Sequence, residues 1–262
     1  MAAERGLLDI SEDAVLGGRL TLRQPLSGHR VGHDAILLAA ATGGRAGELA
    51  VDFGAGVGAA GLALAARVAG LEVVMVEIDA ALSRLAAENA KTNRFDDRAR
   101  AITCNVEDVM ALAAAGLSAG SADRVLMNPP FHDARRHNVS PDAGRRLAHA
   151  GESGLLARWI AAAAFLLKPH GVLTLIWRAD ELQDVLAALV HEFGAIAVMP
   201  VQPREGASAI RVLVRAVKAG SGAPVFRPAL SLNDAQGRPS TAAEAVLRGG
   251  QKLTLAEEEA LK

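Results

Sequence analysis

"VDFGAGVGAAGLALAARVAG", residues 51–70, decides the fold. An apolar run enters a loop with glycines at 54, 56 and 58, and an Ala- and Leu-rich segment with apolar spacing near 3.6 leaves it. That order spells strand, tight turn, helix. Glycine permits positive φ and a close approach of the backbone to a ligand. The helix start behind the loop offers unpaired N–H groups and the positive end of a dipole. Such a loop holds nucleotide-like ligands, and an ordinary tight turn between strand and helix would share its pattern.

The same unit repeats outward. Apolar runs at 48–53, 72–78, 99–104, 122–127 and 171–177 read as strands, with helical patterns at 59–70, 80–93, 153–168 and 179–194. Strands alternating with helices of this length predict parallel βαβ units in a doubly wound α/β sheet. The runs 195–201 and 208–217 have no helix between them and read as a hairpin closing one sheet edge. Upstream, "RLTLRQP" (19–25) reads as a short strand and "HDAILLAAAT" (33–42) as a helix. Downstream, "AGSGAPVFRP" (219–228) reads as irregular, and "TAAEAVLRGG" (241–250) as a short helix ended by glycine. The expected organisation is one domain over 1–262: an extension (1–48), a core (49–218) and a C-terminal appendage (219–262).

Bulk properties narrow the class. A chain of 262 residues can bury a sizeable core. Its net charge of −1 gives no global support to a nucleic-acid partner, so any such case rests on a local patch. Cys104 is the only cysteine, which excludes an intrachain disulfide framework and a thiolate-rich zinc site. "GLLARWIAAAAFLLK" (154–168) is too short to span a bilayer and is broken by Arg158. The first residues lack the charged-then-apolar order of a signal peptide. A cytoplasmic protein with no membrane partner and no metal is expected.

Three residues stand out at strand ends. Glu77 closes the second strand, where a carboxylate can accept two ribose hydroxyls; a solvated strand-end acid would look the same. Asp52 lies two residues before the first glycine. There it can meet a cationic ligand, bond the loop's own N–H groups, or do both. Asn128 ends the fourth core strand in "MNPPF" (127–131). Pro129 and Pro130 cannot continue a sheet ladder, so they stop the strand and fix the backbone around the Asn amide. A planar amino group could donate one hydrogen to that amide oxygen and one to the Pro129 carbonyl, with Phe131 stacked on its plane. The alternative is a proline-rich stop after a core strand.

"VDFGAGVG", "VEID" and "MNPPF", in this order on alternating strands, resemble class I S-adenosylmethionine-dependent methyltransferases over roughly residues 49–217. The resemblance implies a seven-stranded, Rossmann-like, mostly parallel sheet whose last strand is antiparallel, and S-adenosylmethionine as cofactor. It places Asp52, Gly54, Gly56 and Gly58 at the methionine end of the cofactor and Glu77 on the ribose. The acid that meets the adenine falls on "CNVED" (104–108), where Asn105 is aligned and Asp108 is a substitute. Asn-Pro-Pro-aromatic resembles methyltransferases that act on nitrogen in planar systems, which makes Asn128, Pro129, Pro130 and Phe131 the catalytic set.

The N-terminal "QPLSGHRVGHDAILLAA" (24–40) is similar to bacterial methyltransferases that modify adenosine N6 in a valine tRNA. By that resemblance Arg30 and Asp34 are cofactor-side residues. His29 stands where an aromatic such as Tyr is usual, and the chain has no Tyr. His132 after Phe131 is more similar to guanine-N2 methyltransferases of ribosomal RNA, which carry a second domain that this length leaves no room for. With Arg135, Arg136, Arg145 and Arg146 it forms a basic stretch that suits RNA phosphates, or a solvated surface loop. The expected substrate is adenine N6 in a tRNA, with guanine N2 and a protein glutamine as alternatives. A nicotinamide-dependent oxidoreductase would use the same glycine loop but leaves Asn-Pro-Pro-Phe unexplained, and a cofactor-binding protein without catalysis would not need Asn128.

Overall fold

A computed structural model describes residues 9–27, 30–130 and 143–257, with side chains from 154 onward in the last stretch. Phe131, His132, Arg135 and Arg136 lie outside the described residues. The N-terminal part holds strands β1 (Ile10–Val15) and β2 (Leu20–Pro25) and helix α1 (His33–Ala41). The alternating part runs β3 (Leu49–Phe53), α2 (Ala59–Arg67), β4 (Glu72–Glu77), α3 (Ala80–Thr92), β5 (Ala99–Thr103), α4 (Val109–Ala114), β6 (Ala122–Met127), α5 (Ala143–Leu166), β7 (Leu167–Arg178) and α6 (Leu182–Leu189). Then come β8 (Phe193–Gln202), β9 (Arg211–Lys218), the two-residue strands β10 (Val225–Phe226) and β11 (Leu230–Ser231), and α7 (Thr241–Leu247).

The main sheet has the order β5-β4-β3-β6-β7-β9-β8, with β10 and β11 both on β8. Strands β3 to β7 pair in parallel, and β9 pairs antiparallel with both β7 and β8. The chain winds outward through β4 and β5, then returns to the other side of β3 as β6. In an open α/β sheet this reversal opens a crevice at the carboxyl ends of the two central strands. Side chains alternate across β3: Ala50 joins the apolar cluster under α1 and α2, while Val51 and Phe53 join the one under α5 and α6. Asp52 therefore faces the α2 side. Leu20 and Leu22 of β2, and Leu230, Val246 and Leu253 from the far end, share the α1–α2 cluster.

The α/β class and the antiparallel β9 match expectation; several details differ. The hairpin does not close the sheet edge. β10 and β11 pair in parallel with β8, through Val225–Ala197 and Leu230–Val201, so part of the stretch read as irregular is strand. They satisfy backbone groups that an open β8 edge would expose. The helix expected to reach residue 194 ends at Leu189, because β8 begins at Phe193. Gly194 is there for close approach: a Cβ would collide with the Gly220 carbonyl. α5 starts ten residues earlier than the 153–168 pattern suggested. Among the described residues no helix is long and apolar enough to cross a membrane, and no group of three or more His, Cys, Asp or Glu could hold a metal ion.

Candidate active site

β3 delivers Asp52 and Phe53 to the crevice, and the chain then turns through Gly54, Gly56 and Gly58 with φ of 64°, 57° and 88°. The three glycines have different reasons. A Cβ at Gly54 would lie 2.6 Å from the Trp159 ring, and one at Gly58 would lie 2.7 Å from Met75 Sδ. A Cβ at Gly56 would meet nothing within 4 Å. The ends of the loop are thus pressed onto α5 and β4, while its crest faces open space. Trp159 also packs edge-on against Phe53, with ring centroids 6.2 Å apart.

Glu77 is buried at the end of β4 and holds this crest in place. Its Oε2 accepts from Gly56 N–H at 2.8 Å, and its Oε1 accepts from Asp79 N–H at 2.9 Å. Each oxygen keeps a further lone pair for a ligand hydroxyl. Asp52, 2% exposed, accepts from Gly61 N–H in the first turn of α2 at 2.8 Å. Burial pushes its carboxyl up to about 7, the nearby Glu77 charge adds to this, and the Gly61 N–H opposes both. Among the described residues a single neutral donor compensates Asp52, so a cation beside it would find a ready partner.

The remaining candidates fall at the rim. Asn105 follows β5 and accepts from Glu107 N–H at 3.0 Å, with its side chain exposed. Asp108 caps α4, accepting from Ala111 N–H at 2.9 Å. Arg30 pairs with Asp13 at 2.8 Å, and Asp34 with Arg211 at 3.0 Å. The structure thus gives Arg30 and Asp34 ion-pair partners on β1 and β9. Arg145 and Arg146 fall in the first turn of α5, and their side chains lie outside the described residues.

Asn128 stands at the centre. Phe53 and Met127 are register partners, so Gly54 and Asn128 leave the sheet side by side. Pro129 is buried and Pro130 exposed. The Asn128 Oδ1 is buried and accepts no hydrogen bond among the described residues. Leaving such an acceptor unsatisfied costs about 1–3 kcal/mol. An orphaned acceptor beside an open glycine loop is suited to a donor that arrives with a ligand.

Two further asparagines, Asn89 on α3 and Asn93 at its C-cap, bind the N-terminal strands. Asn89, fully buried, accepts from Arg23 N–H at 2.8 Å and donates to Arg23 O at 3.0 Å and to Val57 O, inside the glycine loop, at 2.9 Å. Asn93, one turn on, accepts from Thr21 N–H at 2.9 Å and donates to Thr21 O at 2.8 Å. Together the two amides act as a surrogate strand along the free edge of β2. Their signal is two residues of poor helix propensity spaced i, i+4, one inside a strong helix and one at its end.

The family model for the methyltransferase small domain matches residues 27–202, about two thirds of the chain. A tRNA1(Val) (adenine(37)-N6)-methyltransferase of Porphyromonas gingivalis is 34% identical over 161 residues, covering 60% of this chain and 61% of the relative. The enzyme of the same name from Tolumonas auensis is 31% identical over 160 residues, covering 60% of this chain and 63% of the relative. The chain therefore matches less than two thirds of the length of these relatives. A predicted O-methyltransferase of Agrobacterium tumefaciens superposes with a TM-score of 0.70 at 27% identity, covering 84% of this chain and 97% of that one.

Proposed function

The chain belongs to the methyltransferase small domain family, and from that premise we propose that it is an S-adenosylmethionine-dependent N-methyltransferase acting on the exocyclic amino group of a base in RNA, adenine N6 of a tRNA. The observation that carries the nitrogen assignment is the buried Asn128 Oδ1 beside the glycine loop, which accepts no hydrogen bond among the described residues. An exocyclic amino group brings the donor that this oxygen lacks. Accepting that hydrogen draws the nitrogen lone pair out of conjugation and toward the methyl donor. The relatives named for adenine N6 support the choice of base and of RNA.

The residues present fit the cofactor. S-adenosylmethionine, when bound, supplies a methyl group already activated on a sulfonium. Asp52 meets its cationic amino end, the spare lone pairs of Glu77 take ribose hydroxyls, and the open space at Gly56 admits the ligand backbone. Asn105, beyond β5, borders the adenine end. Arg30 and Asp34 act on the cofactor side by tying the N-terminal segment down through Asp13 and Arg211. No side chain has to act as a strong base. Asn128 would hold the amino nitrogen toward the methyl group that the cofactor would supply, and the proton the nitrogen gives up would pass to water. Catalysis is then positioning and electrostatics. The target base must be unpaired or flipped to reach Asn128. Phe131 supplies the stacking face, and His132, Arg135, Arg136, Arg145 and Arg146 hold phosphates.

A second reading has its own observation. The Agrobacterium protein shares the fold over nearly its whole length and is described as an O-methyltransferase, and a hydroxyl could also donate to Asn128. Incubation with methyl-labelled S-adenosylmethionine and unmodified tRNA, followed by digestion to nucleosides, separates the two. N6-methyladenosine is expected. Label on N2 of guanosine or on protein would move the substrate while keeping the chemistry. Label on oxygen would overturn the nitrogen assignment.

A further inference from the structure

The end of α2 and the start of β3 lie at the pole of the sheet opposite the glycine loop. A cleft of about 220 Å³ opens there, lined by Thr42, Gly43, Gly44, Arg67, Gly250 and Lys252 among others. Its chemistry is one-sided. Arg67 donates to the Val246 carbonyl at 3.0 Å and to the Gln251 carbonyl, yet its Nε is buried and has no acceptor among the described residues. Arg19, in the turn between β1 and β2, lays its guanidinium over Gly250, where a side chain would collide with it. The two guanidinium groups are close enough to repel. Burial first, and then the Arg19 charge, pull Arg67 down to about 10. Among the described residues neither arginine has a carboxylate partner. Lys252 pairs with Glu257 at 3.4 Å, and both of those side chains are exposed.

Arg67 and Lys252 line a glycine-walled cleft, Arg19 lies over Gly250 of its wall, and together they form a receptor for an anion. The planar, forked donors of arginine match the oxygens of a phosphate. We infer that this cleft binds a phosphate group, and that the group is a backbone phosphate of the RNA substrate. The open form of the cleft favours a polymer over a free ion: Lys252 of its lining and Arg19, over Gly250, are both exposed, so a strand can lie across them. The site gives the chain a local cationic surface that its net charge of −1 conceals. The RNA part of this inference rests on the proposed function; the phosphate part does not.

The test is the full-length double variant Arg19→Ala/Lys252→Ala, which touches neither the glycine loop nor Asn128. Affinity for unmodified tRNA is measured from 50 to 200 mM KCl, and thermal stability is read with and without inorganic phosphate. Loss of two phosphate contacts should flatten the slope of log K against log[KCl] by roughly 1.4–1.8. Phosphate should raise the melting temperature of the wild-type chain only, with affinity for S-adenosylmethionine unchanged. A phosphate response lost in the variant together with an unaltered tRNA slope would keep the site and overturn its RNA role. An unaltered slope and an unaltered phosphate response would overturn the site itself. A wild-type chain that responds to phosphate but binds no tRNA would sink the RNA substrate while leaving the cleft standing.

Discussion

Glu77 and Gly56 are joined across the top of the sheet: one carboxylate oxygen takes the Gly56 N–H while the other takes that of Asp79. The carboxylate thus sets the shape of the loop before any ligand meets it. Glu77→Gln replaces one acceptor by an NH₂ that faces an N–H. A buried donor left unpaired costs about 1–3 kcal/mol. The expected result is a 10- to 100-fold rise in the Kd for S-adenosylmethionine by titration calorimetry, with kcat at saturating cofactor within a few-fold of wild type.

Asn128→Ala should separate function from stability. The amide oxygen has no partner to lose among the described residues. Removing it should leave the urea midpoint unchanged or slightly raised, while kcat falls roughly 10²- to 10³-fold, in the range for losing one aligned polar group at a reaction centre. A parallel loss of stability would mean that the amide is structural.

Gly56→Ala and Gly58→Ala should differ in kind. Both place a Cβ on a residue with positive φ, at about 1–2 kcal/mol. Gly58→Ala also drives that Cβ into Met75 and should lose about 2–5 kcal/mol in all, seen in chemical unfolding. Gly56→Ala meets nothing within 4 Å among the described residues, so its loss should stay near the positive-φ strain of about 1–2 kcal/mol while cofactor affinity falls at least about tenfold.

Asp52 makes cofactor binding depend on pH. With its carboxyl raised to about 7, the neutral form is favoured in the cofactor-free chain below pH 7. The stability that form contributes is complete below the ordinary value of 3.8 and is lost as pH rises through 7. A cationic ligand needs the ionised form, so binding below pH 7 must release a proton. Affinity should therefore fall about tenfold per unit as pH drops from 7 toward 5. Asp52→Asn should bind more weakly at pH 8 and lose this slope.

What the sequence made legible followed from strong, local patterns. "VDFGAGVG" and "MNPPF" carry glycine and proline, whose backbone preferences act without help from distant residues. β1 escaped notice because half of ISEDAV is exposed and the strand exists only by pairing with β2. α4 is six residues long, and its one signal was Asp108 at the N-cap, which had been weighed as an adenine ligand. β10 and β11 have two residues each and take their form from β8. Trp159 lies over a hundred residues from Gly54, and no pattern along the chain announces that contact. The ion pairs of Arg30 and Asp34 are likewise long-range, to Asp13 and Arg211.

The buried amide of Asn89 has a consequence at a distance from itself. It holds the β2 backbone with one set of bonds and the Val57 carbonyl with another. Docking of the N-terminal hairpin and ordering of the glycine loop are then two readings of one equilibrium. Thermodynamic reciprocity requires that a ligand which favours the ordered loop tighten the hairpin by the same free energy, and that a loosened hairpin weaken the ligand equally. Amide exchange at Thr21 and Arg23, whose N–H groups donate to Asn93 and Asn89, should slow when the cofactor binds, and Asn89→Ala should uncouple the two.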